Sequence, residues 1–407
     1  MSDIRYKFIV LALSCCSAWS QTPAAQAPNN SDQSATQANQ QPAAANTASN
    51  QASGTPASTP AVAASTGQSL TFEKVDFSVT VDAYGSWNDN HPSTGFNQLY
   101  NFDDKTDLAD LNELKLTASH DPDPVGFRVD IGLGRAFDLM HTPKPNPEFF
   151  DFVEQAYVSV KPKTWRGFEA DFGDFATSAG AEVIESKDNW NYSRSLLFAF
   201  AIPYYHFGVR TSMPVGSSVS VGVQVVDGWN QIVDQHGDNM KTTGLTSAIT
   251  RKKFTWSNNY YVGPQWTGTN NRNRNLYDTT LLLTPSDKFN AYLNYDYGEQ
   301  AEFMAGHQHW DGFAAAGHWQ VSKRVAISPR AEYYDDATGF TTGKRQALHE
   351  VTVTGEYKLI DNVLTRLEYR HDGSRVPYFD HGDQTGVSRS QSTVTFGFIA
   401  FYPYKHQ

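Results

Sequence analysis

The chain has 407 residues with 43 acidic and 32 basic side chains, a formal charge of −11 that argues against nucleic acid as a partner. Its two cysteines, Cys15 and Cys16, lie at the start, so disulfides and thiol chemistry cannot support the rest of the chain. No run of about 18 apolar residues is present to make a membrane-spanning helix, but 25 Phe, 20 Tyr and 9 Trp are what the interface girdles of a transmembrane β-barrel need.

Arg5 and Lys7 precede an apolar stretch from Phe8 to Leu13, and Ala18-Trp19-Ser20 has the small-x-small form of a cleavage site. Residues 1–20 therefore read as a secretory signal. Lipid attachment at Cys16 is the competing reading, with Cys15 a poor residue at the preceding position. Residues 21–70 are rich in Ala, Gln, Asn and Pro and carry almost no large apolar side chain. Such a segment cannot bury enough surface to offset its conformational entropy. It is expected to be a disordered periplasmic tether, a spacer that could lie against peptidoglycan.

From residue 71 onward a period of two appears, the mark of strands with two unlike faces. Val75, Phe77, Val79, Val81 and Ala83 alternate with Asp76, Ser78, Thr80 and Asp82. Val125, Phe127, Val129 and Ile131 alternate with Arg128 and Asp130, and Val394, Phe396, Phe398, Ala400 and Tyr402 form the last run. The polar faces carry Arg128, Asp130, Glu350, Glu356, Lys358, Arg366, Glu368 and Arg370, which are expected to face a polar lumen. Connection lengths alternate as well. Short turns are expected near 121–124, 161–166, 212–218, 251–252, 284–287, 321–324 and 359–362. Long loops are expected at 136–150, 177–195, 227–241, 263–274, 299–309, 336–346 and 373–391. Residues 71–407 are thus predicted to be all-β, an antiparallel transmembrane barrel of about sixteen strands, with short periplasmic turns and long external loops. A soluble sandwich would also alternate, but the secretion signal, the charged faces and the short-long rhythm together favour the membrane.

The most unusual stretch is Lys187 to Arg210, where a polar, aromatic-rich loop runs into the apolar segment Leu196 to Ile202. Leu196, Phe198, Phe200 and Ile202 share one strand face, whereas after Pro203 the apolar set is Tyr205, Phe207 and Val209. A slip of one residue flips every side chain, so a bulge or break near Pro203 is expected. Leu197, Ala199 and Ala201 make the opposite face apolar too, and an apolar lumen surface needs a cover. The loop 177–195 is therefore expected to fold inward, placing Glu185, Lys187, Asp188 and Arg194 at a constriction with Trp190 and Tyr192 as packing. The plainer reading is that Asp188 and Arg194 pair to hold the loop.

Lys187-Asp188-Asn189-Trp190-Asn191-Tyr192-Ser193-Arg194-Ser195, followed by Pro203-Tyr204-Tyr205-His206-Phe207-Gly208, resembles the second, OmpL-like family of outer-membrane β-barrel porins. Asp123-Pro124-Val125-Gly126-Phe127, Ala156-Tyr157-Val158-Ser159 and Gly228-Trp229-Asn230 support the resemblance, which departs from the expected pattern at Asp227 and in the five residues beyond Tyr402. It implies a passive channel for small hydrophilic solutes in the outer membrane of a Gram-negative bacterium, without enzymatic activity or cofactor, surrounded by outer-membrane lipid; many barrels of this size are homotrimers. The alternatives are a barrel acting as an adhesin or cell-wall anchor, or a barrel hydrolase, although no nucleophile, base and acid are grouped in sequence. Two weaker groupings are His307, His309 and Asp311, which share a face in an extended segment, and the acidic loop carrying Asp227, Asp234 and Asp238. Both read better as interface and solvated residues than as metal sites.

Overall fold

The structure, a computed structural model, describes residues 75–141, 148–232, 240–265, 273–302 and 306–404. The signal and tether expected over residues 1–70 lie outside the described residues, as do Asp234 and Asp238.

The chain forms β1 (Asp76–Asn88), β2 (Leu108–His120), β3 (Val125–Leu133), β4 (Val153–Val160), β5 (Glu169–Ala176), β6 (Tyr205–Val215), β7 (Val219–Val226) and β8 (Thr242–Arg251). It continues through β9 (Phe254–Pro264), β10 (Asn273–Ser286), β11 (Phe289–Glu302), β12 (Gly306–Gln320), β13 (Val325–Asp336), β14 (Gln346–Ile360) and β15 (Val363–Ser374). A small hairpin, β16 (Phe379–His381) and β17 (Gln384–Ser388), precedes β18 (Ser390–Tyr404). Apart from the hairpin, each strand pairs antiparallel with its sequence neighbours, and β18 closes a sixteen-stranded barrel against β1. The closing register runs from Phe77↔Tyr404 to Asn88↔Thr393, so no edge is left unpaired.

The alternation seen in sequence is the inside-outside alternation of the wall. Leu116, Phe172, Leu367 and Phe396 point outward and are exposed, while Lys115, Asp171, Arg366 and Thr395 beside them point inward and are buried. Aromatics collect near both ends of the outer face. Tyr260, Tyr277 and Tyr297 pair in a row across β9, β10 and β11 toward the long-loop end, and Phe289 pairs with Trp319 toward the other. These rows are the girdles expected of a membrane barrel.

Two expected boundaries move. The loop placed at 299–309 is mostly strand, because Glu299↔His309, Gln300↔Gln308, Ala301↔His307 and Glu302↔Gly306 extend the β11–β12 ladder beyond the wall's apolar band. The loop placed at 177–195 instead runs to Tyr204, since β6 starts only at Tyr205. The apolar run expected to open that strand is a single π-helical turn, Leu197–Ala201. It is apolar on all sides because it packs inside the barrel: Leu197, Phe198 and Ala201 are buried, as are the flanking Leu196 and Ile202, and Phe200 is half-buried against the same cluster.

Candidate functional site: the lumen and its inward loop

Backbone that is neither helix nor strand is tolerated at membrane depth only where protein or a water-filled cavity surrounds it. Every buried N–H and C=O of such a loop needs a partner. The wall supplies them from charged side chains. Glu332 on β13 accepts the N–H groups of Leu196 and Leu197 at 3.1 and 3.3 Å. Glu368 on β15 accepts those of Tyr192 and Ser193 at 2.6 and 2.9 Å, and Asp278 on β10 accepts that of Gly180 at 2.9 Å. Guanidinium groups serve the carbonyls. Arg330 donates to Ser193 at 2.7 Å, Arg366 to Asn189 at 2.6 Å and Arg370 to Arg194 at 2.7 Å. The loop 177–204 therefore crosses the lumen and is fastened to β1 through Asp82, to β2 through Lys115, to β7 and β9 through Gln224, Asn259 and Tyr261, and to β10–β15.

Charges left over after these bonds neutralise one another. Arg330 also meets Glu182 of the loop at 2.8 Å, Glu332 at 3.2 Å and Glu350 at 3.3 Å. Arg366 pairs with Glu356 and Arg370 with Asp372, each at 2.8 Å. Of the charges expected to line the lumen, Glu350, Arg366, Glu368 and Arg370 do lie on the inward face but are buried, the last three against the loop; Glu356 and Lys358 of β14 keep partial exposure. Glycines admit one ring of the loop and one ring of the wall that holds it. A Cβ on Gly397 would lie 2.4 Å from the Tyr192 ring, and one on Gly298 would lie 2.0 Å from Trp310, whose indole N–H donates to Ala201 at 3.2 Å.

The constriction candidates divide. Arg194 is completely buried, donates to the carbonyls of Ile184 and Tyr192, and sits 5.4 Å above the Phe102 ring. It therefore neither faces the channel nor pairs with Asp188, because the loop needed a donor for its own carbonyls. Asp188 pairs with its neighbour Lys187, and both side chains are partly exposed. Glu185 bonds Lys115 at 2.6 Å and comes within 3.7 Å of Arg128. Trp190 stacks between Tyr292 and His318 at centroid distances of 5.2 and 5.6 Å, and Tyr192 donates to Asp82 at 2.8 Å. Both are packing residues.

On the arc β3–β6 the inward arginines keep some exposure, whereas Asp130, expected to face the lumen, is buried together with Glu154 and Asp171. Arg128 is paired with Asp130 at 2.8 Å and its side chain is 35% exposed. Arg210, which the sequence pattern did not single out, pairs with Asp171 at 2.7 Å, stacks on Tyr157 and Phe175, and is 27% exposed. Its place on the polar face of β6 was the available signal, hidden by the parity change at Pro203.

The long-loop end of the lumen is filled with carbon. Leu99 and Phe102 from the loop 89–107, Phe137 and Met140 from a short helix α1 (Arg135–Met140), and Leu196 and Phe198 form one cluster with inward Tyr261, Leu276, Trp310 and Tyr334. Asp103 lies at its edge, fully buried and without a hydrogen-bond partner. Burial pushes its carboxyl up to about 8 against the opposing pull of Arg194.

Asp130, Glu154 and Glu185 lie close enough together to hold a metal ion. The Lys115 ammonium, 3.1 Å from Glu154 and 2.6 Å from Glu185, already supplies the positive charge such a cluster needs. His307 pairs with Glu299, and Asp311 lies across from Asp335, so His307, His309 and Asp311 form no metal cluster among the described residues. Asp227 of the acidic loop is paired with Lys241 at 2.9 Å.

Solved structures with this architecture include the outer membrane channel DcaP of Acinetobacter baumannii, at 11% identity and a TM-score of 0.55, covering 81% of this chain and 97% of that one. An anion-selective porin from Comamonas acidovorans matches at 11% and 0.54, covering 81% and 99%. The in-vitro folded trimer form of OmpT from Vibrio cholerae matches at 12% and 0.51, also covering 81% and 99%. At these identities the likeness shows the fold. No curated protein matches the chain. The family described as "Putative beta-barrel porin-2, OmpL-like" matches residues 74–402, nearly the whole barrel. With the closed wall, the girdles and the inward loop, this match makes the chain a member of the OmpL-like β-barrel porin family.

Proposed function

We propose that the chain is a porin of a Gram-negative outer membrane, a non-enzymatic channel through which small hydrophilic solutes diffuse passively. The observation that carries this reading is the uneven cover of the inner wall. The loop 177–204 is fastened to β1, β2, β7 and β9–β15 and, among the described residues, touches β3 only where Glu185 comes within 3.7 Å of Arg128, so that the partly exposed Arg128 and Arg210 on β3 and β6 face the space beside it. Lys187 and Asp188 are the loop's own partly exposed charges. Together with Glu185 they form the constriction, where opposed charges and size select what passes. The family supports the channel, and the trimer form of the Vibrio cholerae protein supports a homotrimer for this chain.

The apolar cluster of Leu99, Phe102, Phe137 and Phe198 inside the lumen favours a second reading, a closed barrel that anchors the tether to the membrane. Liposome swelling separates the two. Swelling that speeds up as the sugar becomes smaller supports the channel, and no swelling from correctly folded protein supports the anchor.

A further inference from the structure

Outside the lumen, the wall carries a groove that the channel does not use. It runs over Leu114 and Leu116 of β2 and Ile131 and Leu133 of β3, and it is roofed by Phe149 and Phe152. Its volume is about 310 Å³, and among the described residues no side chain lining it bears a polar group. The roof is a fixed piece of structure. Phe149–Phe152 is a turn of 3-10 helix closed by a capping box between Glu148 and Asp151. Phe150 packs edge-on against Phe149 at 6.1 Å, and the two are 60% and 66% exposed.

We propose that this groove holds an acyl chain of a membrane lipid from the leaflet at the long-loop end. Three observations select this occupant. The groove is continuous with the outward apolar surface of β2 and β3, where Leu116 and Leu133 are 57% and 46% exposed, so acyl chains already bathe its mouth once the barrel spans a bilayer. An apolar cavity holds water poorly, because water there finds no hydrogen-bond partners. The girdle is also incomplete here. β2 has no aromatic residue and β3 has only Phe127, near its short-turn end, whereas β9–β11 supply Tyr260, Tyr277 and Tyr297 from the strands themselves. Phe149 and Phe150 fill that gap from the loop, beside the groove that Phe149 and Phe152 roof. The proposal rests on the barrel spanning a membrane and not on whether it conducts.

Native mass spectrometry of the detergent-purified full chain, supplied with lipid A or with dioleoyl phosphatidylglycerol, tests it. Ile131→Trp fills the groove and Leu367→Trp adds the same bulk to the open wall of β15. Filling the groove should lower lipid retention about tenfold, the loss of roughly two buried methylenes, with Leu367→Trp unchanged. Equal retention by the two variants overturns the proposal for both lipids. If Ile131→Trp does not fold, Phe149→Ala, which removes the roof from an exposed position, takes its place with the same two outcomes. A photo-crosslinking side chain at Phe149 that joins two copies of the chain, with no lipid adduct, also overturns it. Conductance of Ile131→Trp should equal that of the parent, so failure of the groove leaves the channel reading standing.

Discussion

Two arcs of the inner wall use the same residue types for different ends. On β13–β15, Arg330, Arg366 and Arg370 are buried, each shared between wall carboxylates and loop carbonyls. On β3–β6, Arg128 pairs closely with Asp130 and more distantly with Glu185, Arg210 pairs with Asp171, and both guanidinium groups remain partly exposed. The difference lies in what faces them. Where the loop 177–204 covers the wall, charge substitutes for the regular hydrogen bonding the loop lacks; where it does not, charge stays partly exposed.

The comparison breaks most sharply at Arg330. Replacing it by Met leaves Glu182, Glu332 and Glu350 buried around a lost cation, and removing one partner of a buried ionic group costs about 3–5 kcal/mol. The thermal unfolding midpoint should fall, and the channel should widen as the loop loosens, raising single-channel conductance. An unchanged midpoint would mean that the covered arc is not what holds the loop.

Asp103 tests the same arc through pH. Its carboxyl is raised by burial to about 8 in the folded chain, against about 4 when unfolded. The folded state thus holds the proton more tightly, so stability is full below about pH 4 and is lost as pH rises through about 8. Asp103→Asn should remove this part of the alkaline loss, read as a flatter plot of unfolding midpoint against pH. A plot parallel to that of the parent would show that Asp103 is not buried in the folded barrel.

Gly397→Leu should press on the Tyr192 ring and cost roughly 1–3 kcal/mol as overpacking. Conductance should rise because the displaced loop lies inside the channel. A conductance equal to the parent's, at reduced stability, would separate loop packing from pore size.

The uncovered arc should respond in the opposite way. Replacing Arg128 and Arg210 by Gln removes two partly exposed cations while leaving a hydrogen-bond donor beside the buried carboxylates of Asp130 and Asp171. Stability should fall less than for Arg330→Met, while the reversal potential in a salt gradient shifts toward cations. A stability loss without that shift would place these two with Arg330. The smallest effect is expected for Lys187→Gln with Asp188→Asn, whose half-exposed pair should alter conductance mainly at low salt, where screening is weak.

The sequence by itself determined the wall. A period of two fixes which residues face lipid, and the rhythm of short turns and long loops fixes the up-and-down order, because both follow from local backbone geometry that needs no distant partner. It also marked the stretch Lys187 to Arg210 as unusual, since an apolar run with both faces alike cannot be an ordinary wall strand. Only the tertiary structure decided what the inward charges do. Arg366 and Arg370 have the same alternating pattern as Arg128, yet their environment is set by a loop that lies 162 or more residues earlier in the chain. It decided Arg194 as well, which reads as a channel charge until its neighbours Ile184 and Tyr192 present their carbonyls to it. Alternation reports the side of the wall on which a residue stands; whether that side meets water or another part of the chain is settled by contacts that sequence spacing does not carry.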